Sequence, residues 1–486
     1  MASPPWAGAA SHEQYFVLLT GANSGVGLGI GQRIIDEFLA SRSLSSHLIL
    51  IPTTRSVAKS RDTARALRAH LEETARTSDQ LRARGGPDYT PRSATSRVHV
   101  LGIQLDLCNL RSVHRAARQL VHGEVSDPTG VIPDARIPRI DAALFNAGIG
   151  GWSGLDWLEL ARQFFRVGLV QATTFPSFKK ASPAAVLDPR QLLGGGSTSD
   201  PKSSAPADGL AEVFCANVFG HYVLAHELLP LLSRATPDEP RGRVVWTSTI
   251  DAGREHLRFD DFQARRHTPP YESSKRITDL IALTADLPSV EKVSNPFFTS
   301  SAAADKPIKP RFYLSHPGVV CSPLFPLNVF LFWAYWYAML LARWCGSPWH
   351  PVKAYLGACA SVWLALADQE SLDALRAGRS KWGSSCTPLG RAAPKRTEIE
   401  GWGWDGEVGA LLEKEEEEEE DGGDDAGVLR KARGRKWDAV DLTEEMRAGF
   451  EEDGRRCWAE LERLRTAWEA ALEKTDGAVE GNGNAA

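Results

Sequence analysis

The sequence has no CxxC pair and no Cys/His group at metal-ligand spacing. Its seven cysteines are scattered and odd in number, which argues against a disulfide framework or a zinc site and fits thiols of a reducing compartment. Basic charge is not in excess. With 56 Lys and Arg against 61 Asp and Glu, the net charge is −5 and nothing is suited to hold a phosphate backbone, so no nucleic-acid partner is expected. Residues 1–14 carry neither a basic stretch nor an apolar one, and no secretory signal is expected there. No internal repeat is present. What remains is an ordinary balance, 43% hydrophobic and 24% charged over 486 residues, long enough to bury a sizeable core.

Strand-like runs at 16–19, 47–51, 98–101, 142–145, 244–247 and 311–314 alternate with helical ones. This βαβ rhythm predicts an α/β fold, a Rossmann-type doubly wound parallel sheet in a single domain over 16–405, after an N-terminal extension 1–15. Two stretches, 58–96 and 150–208, read as insertions. The first reads as a long helix and a loose loop, and the second contains the low-complexity run GGGSTSDPKSSAPADG. The acidic run at 413–425 places a solvated linker at 406–440. Met446, Phe450, Trp458, Leu461, Leu464, Trp468 and Leu472 then recur at helical spacing, an amphipathic helix over 441–474 interrupted near Gly454. It packs on its own domain or docks a partner. Residues 475–486 read as a disordered tail.

The first strand runs into Thr20, Gly21, Asn23, Ser24, Gly25, Val26 and Gly27, and then into an apolar-periodic helix. Strand, glycine turn and helix aim backbone N–H groups and a helix dipole at a pyrophosphate, with glycines allowing its close approach. The spacing is GxxxGxG, which with the preceding Thr resembles the short-chain dehydrogenase/reductase family. After the second strand no acid stands ready for a ribose hydroxyl. Arg55 is placed to fork onto a 2′-phosphate with Thr54 and Ser56 as added donors, and the expected cofactor is NADPH.

Several further elements match that family in order. The resemblance implies that Asp106 contacts the adenine amine and that Asn146, Ala147 and Gly148 support the sheet beside the cofactor. Tyr271 and Lys275 form the YxxxK signature, one helical turn apart. The ammonium is expected to lower the phenol pKa and suit it to protonate a nascent alkoxide. Ser248 and Thr249 end the preceding strand. Family register favours Thr249 as the hydroxyl donor, with Ser248 left open. The Ser-to-Tyr gap is long, so 251–270 is expected to lie over the site. Asn217 matches the NxxG element whose Asn anchors a water relay to the Lys. Pro317, Gly318, Val320 and Ser322 match the turn that grips the nicotinamide carboxamide, with His316 structural.

The stretches 211–228, 343–350 and 381–385, with GANSGVG and PYESSKR, are similar to the fungal 3-keto sterol reductases over roughly 15–405. That resemblance implies NADPH-dependent reduction of a 3-keto sterol in sterol C-4 demethylation (ergosterol biosynthesis), at the cytosolic face of the endoplasmic reticulum or a lipid droplet. Other enzymes of sterol biosynthesis are the implied neighbours. The segment 324–342 is apolar and aromatic with no charge over 329–342. It reads as a peripheral membrane contact, a dry lid or a span, since about 20 apolar residues cross a bilayer. Two other readings stay open: a reductase of another lipid carbonyl (17-ketosteroid or retinoid), and a cofactor-binding scaffold of a membrane sterol complex.

Overall fold

The computed structural model describes residues 3–193, 209–266, 269–299, 307–321, 328–409 and 434–483. Near the N-terminus Trp6 is buried against His99, at 4.9 Å between ring centroids, so the N-terminal extension packs on the core. Strand β1 (Gln14–Leu19) has its last four residues buried and leads through the glycine turn into α1 (Gly25–Ser41). Then come β2 (His47–Thr54), α2 (Val57–Thr77), β3 (Val98–Val100), α3 (Leu110–His122) and β4 (Ala142–Phe145). Helix α4 (Trp157–Thr174) is kinked at Gly168, where φ is 76°. A helix entered at Glu212 widens to π geometry over Cys215–Phe219 and continues as α5 (Gly220–Glu227). β5 (Arg243–Thr247), α6 (Pro270–Thr284), β6 (Arg311–His316), α7 (Val329–Trp344), β7 (Lys381–Cys386), β8 (Ala392–Thr397) and α8 (Glu444–Gly483) complete the order.

The main sheet runs β8-β7-β6-β5-β4-β1-β2-β3, with a short strand Ile103–Gln104 added on β2. Only β8, against β7, is antiparallel. Helices cover both faces, which is why the central strands are largely continuous apolar runs. α1 and α2 share one core with β1 and β2, and α3, α5, α6 and α8 share the other. The strand order reverses between β1 and β4. The crevice beyond the carboxyl ends of those strands is where such sheets bind ligands.

Several features differ from the sequence expectation. The loose half of 58–96 folds into helices Asp79–Gly85 and Pro91–Thr95. The C-terminal helix is continuous through Gly454 and extends past the expected end at 474. An added Cβ at Gly454 would lie 2.6 Å from Thr284 Cγ2, so glycine serves a close helix approach there. Phe450, Trp458, Leu461, Leu464 and Trp468 are buried in the core, which makes α8 a part of the domain.

Residues 434–441, of which 434–440 were expected inside the linker, strap the surface. Arg435 forks onto Glu398 at 2.6 and 2.7 Å, and Gln171 of α4 donates to Arg435 O and accepts from Trp437 N. The acidic run and the low-complexity run lie outside the described residues. Among the described residues no helix is long and apolar enough to cross a membrane.

Candidate active site

At the carboxyl ends of β1 and β4, a cleft of about 460 Å³ is lined by Gly21, Asn23, Ser24, Gly25, Val26 and Gly27 of the glycine turn. The turn requires its glycines. Gly21 has φ +68°, and a Cβ there would sit 2.7 Å from Ala147 Cα; one on Gly27 would sit 2.0 Å from Gly21 O. Thr20 is buried and lies behind the turn rather than in the cleft. Its hydroxyl accepts from Asn146 N at 2.9 Å and Ala147 N at 3.1 Å, and contacts His221 Nε2 at 2.9 Å. His221 is a residue the sequence reading missed. Burial, then the nearby Lys275 ammonium, hold its pKa down to about 3, so it is a neutral strut between the turn and α5. Asn146 Nδ2 donates to Thr20 O at 3.3 Å, and Gly148 and Ala147 line the cleft beside it.

Thr54, Arg55 and Asp106 also line the cleft, joined by Lys59, one helical turn beyond Arg55. Ser56 does not: its hydroxyl caps α2 by accepting from Lys59 N at 3.4 Å. The Thr54 hydroxyl donates to Ser56 O at 3.0 Å. Two cations and no carboxylate therefore stand at the end of β2. Asp106 Oδ1 accepts from Cys108 N, which fixes that loop at the far wall.

Cleft and fold together fit a phosphorylated dinucleotide. The glycine turn would hold its pyrophosphate, Arg55 and Lys59 a ribose phosphate, and Tyr271, Lys275 and Pro317 line its other end. Gly318 and Val320 face a second cavity instead. Ser322 lies outside the described residues. His316 is a buried neutral strut, its Nδ1 accepting from Gly318 N at 3.1 Å and its Nε2 lying 2.7 Å from Thr397 Oγ1.

The second cavity, about 410 Å³, abuts the cleft at Tyr271, Ser248, Pro317 and Val26. Its walls are apolar. Leu331, Ala334, Tyr335, Ala338 and Met339 come from one face of α7, and Trp152, Leu155, Leu160, Phe164 and Phe178 from the segment that reads as an insertion. The insertion is thus the cavity wall, held to the catalytic helix by Lys179, which pairs with Glu272 and with Asp251. Ile250 and Asp251 close the floor, so the start of 251–270 does lie at the site.

At the junction Thr249 and Tyr271 line the cavity together, with the Thr249 hydroxyl near enough to the phenol to favour its ionised form. Ser248 turns away, its hydroxyl donating to Asp279. Lys275 Nζ donates to Thr247 O at 2.7 Å and lies 5.5 Å from the Tyr271 ring centre. The phenol is not lowered, contrary to expectation. Burial, then the nearby Glu272 carboxylate, push it well above the ordinary tyrosine range, and the nearby Thr249 hydroxyl offsets this only in part. Lys275, desolvated beside Lys381, is pushed down to about 8, with Asp279 opposing. The Asn217 carboxamide accepts from Ile149 N at 2.8 Å and donates to Ile149 O and Ser274 Oγ at 3.0 Å. Its side chain is thereby committed to the loop after β4.

The outer face of α7 is apolar as well, and α4 exposes apolar side chains interspersed with Arg162 and Arg166. Phe165 is 94% exposed, Phe330 87% and Trp333 52%, and Trp157, Leu158, Tyr337 and Trp344 are exposed beside them.

No family model matches the chain. Among curated proteins, it is 48% identical over 480 residues to a 3-keto-steroid reductase of Gibberella zeae, covering 97% of this chain and 98% of that one. It is 39% identical over 477 residues to a 3-keto-steroid reductase of Aspergillus fumigatus, covering 95% of each. Among solved structures, a 3-oxoacyl-[acyl-carrier protein] reductase of Brucella melitensis in complex with NAD aligns over 75% of this chain and 93% of its own, at 13% identity and TM-score 0.37.

Proposed function

Since the chain belongs to the 3-keto-steroid reductases of the short-chain dehydrogenase/reductase family, we propose that it reduces the 3-keto group of a sterol to the 3-hydroxyl with NADPH, as a step of sterol C-4 demethylation. The observation that carries this reading is the meeting of an apolar cavity of about 410 Å³ with the cofactor cleft at Tyr271, where the Thr249 hydroxyl stands against the phenol. Such a cavity suits a rigid hydrocarbon with one oxygen at its inner end.

NADPH held in the cleft would supply the hydride that reduces C3. Tyr271 donates its proton to the ketone oxygen, and a phenol held above its ordinary pKa keeps that proton at neutral pH. Thr249 donates a hydrogen bond to the same oxygen and orients it. Lys275, anchored on Thr247 O, supplies positive charge near the phenolate left after transfer. The Asn217 carboxamide is engaged with Ile149 and Ser274, and it ties the loop after β4 to the catalytic helix beside the site. Arg55 and Lys59 favour NADPH over NADH through the 2′-phosphate.

The exposed apolar face of α7 and the exposed aromatic residues of α4, flanked by Arg162 and Arg166, border the cavity and suit peripheral contact with the endoplasmic reticulum membrane or a lipid droplet on the cytosolic side. A helix apolar on every face is at home in protein core or lipid. A sterol then enters between α4 and α7 directly from the lipid phase.

The deciding experiment is NADPH oxidation by the purified protein with 3-keto sterols, 17-ketosteroids and retinal. Turnover confined to the 3-keto sterols is expected. Preference for either other class would reassign the substrate, and NADPH binding without turnover on any would make the protein a scaffold.

A further inference from the structure

The helix that carries Tyr271 and Lys275 has a third functional side chain in the same register. Tyr271, Lys275 and Asp279 recur every four residues along α6 and share one face. Asp279 is fully buried, and its partner comes from another element: Lys381, the first residue of β7, is 1% exposed and pairs with Asp279 Oδ2. The same Nζ donates to the backbone oxygen of Thr249 at 2.8 Å. Asp279 Oδ1 meanwhile accepts the Ser248 hydroxyl. Three successive residues at the end of β5 are thus each held by a buried charge: Thr247 by Lys275, Ser248 by Asp279 and Thr249 by Lys381.

Neither Asp279 nor Lys381 lines the cofactor cleft or the apolar cavity. Stability alone is a weak reason for the pair, because a buried ion pair is often matched or bettered by apolar residues of similar volume. We propose that Asp279 and Lys381 are positioning residues for the reduction: together they fix the Thr249 hydroxyl against the Tyr271 phenol and set the charge balance around Lys275. The inference rests on Tyr271 and Thr249 being the reacting pair. The titratable groups facing Lys275 are Tyr271 and Asp279 on its own helix, Lys381 on β7 and the neutral His221 on α5. Those facing Lys381 are Asp279 and Arg276 on α6, Asp251 after β5 and His316 on β6. Removing Lys381 alone leaves Lys275 beside an unopposed carboxylate, while removing both leaves it with neither.

The test compares Lys381→Gln with the apolar double variant Asp279→Val/Lys381→Met in the full-length protein. For both, kcat is expected to fall about tenfold to a hundredfold while KM for NADPH stays unchanged, as a misplaced donor predicts. The basic limb of the kcat profile should move to higher pH in Lys381→Gln and to lower pH in the double variant. The pH dependence of unfolding, measured without cofactor, should shift in the same opposite directions. Lys381→Arg should restore most of kcat. Wild-type kcat with an unshifted profile in whichever of the two variants folds would overturn the proposal. Tyr271→Phe is assayed alongside. If it turns over normally, the reading of the reacting pair has failed; if it is inactive while the pair variants behave as wild type, only this inference has.

Discussion

The indole of Trp152 lies over the phenol of Tyr271, their ring centres 4.6 Å apart. The segment that lengthens the chain thereby partly shields the reacting side chain, which stays half-buried, from water. Trp152→Ala should remove that shield and let the phenol pKa fall back toward the ordinary value near 10. Phenolate absorbance should then appear at lower pH than in wild type, and KM for the sterol should rise while KM for NADPH holds. Measuring phenolate absorbance and the two KM values across pH checks both effects.

Ser248 and Thr249 are adjacent hydroxyls with opposite assignments. Thr249→Ala should lose roughly a hundredfold or more in kcat, the cost of removing one donor to a developing oxyanion, whereas Thr249→Ser should retain most of it. Ser248→Ala removes the bond to Asp279 and a longer one to Lys275 O, neither of which reaches the substrate, and should cost about tenfold at most. Equal losses at the two positions would reverse the assignment.

Arg55 and Lys59 form the basic end of the cleft. Arg55→Asp should invert the preference from NADPH toward NADH, and Lys59→Ala should weaken NADPH binding about tenfold, or ~1.4 kcal/mol. NADH affinity should be unaffected by the Lys59 change. An Arg55→Asp variant that still prefers NADPH would sink the 2′-phosphate assignment.

Lys275 is a buried ammonium whose pKa is pushed from 10.5 down to about 8. Its folded value lies below its unfolded value, so the unfolded chain binds the extra proton between those two pH values. The destabilisation is full below about pH 8 and is relieved as pH rises toward about 10.5. Lys275→Met should therefore be inactive yet more stable than wild type near neutral pH, by on the order of 2–3 kcal/mol, with the gap closing at alkaline pH. Denaturant melts of both proteins across that range provide the check.

Local chemistry was legible in the sequence. The glycine turn, the Tyr271/Lys275 pair and six strands of the sheet announce themselves by spacing and periodicity. Long-range construction was not. The 150–208 segment reads as padding because Trp152, Leu160 and Phe164 have no visible partner until α7 stands opposite them. Strands β7 and β8 were missed, since KWGSSC is small and polar and AAPKRT contains a proline; tertiary bonds such as Ser384 Oγ to Gly357 O hold them. Lys59 gave no signal because an exposed helical lysine is ordinary until Arg55 lies beside it in the cleft. The phenol was expected low because YxxxK displays the cation and conceals the burial.

The strap at 434–441 gives the molecule a natural point of division. Beyond residue 433, the chain is held by the Arg435–Glu398 fork, the Gln171 clamp and the burial of Trp458 and Trp468 in the common core. None of these contacts depends on the peptide connection through 410–433. Two separately expressed pieces, 1–409 and 434–486, should therefore find each other and reconstitute a single working reductase.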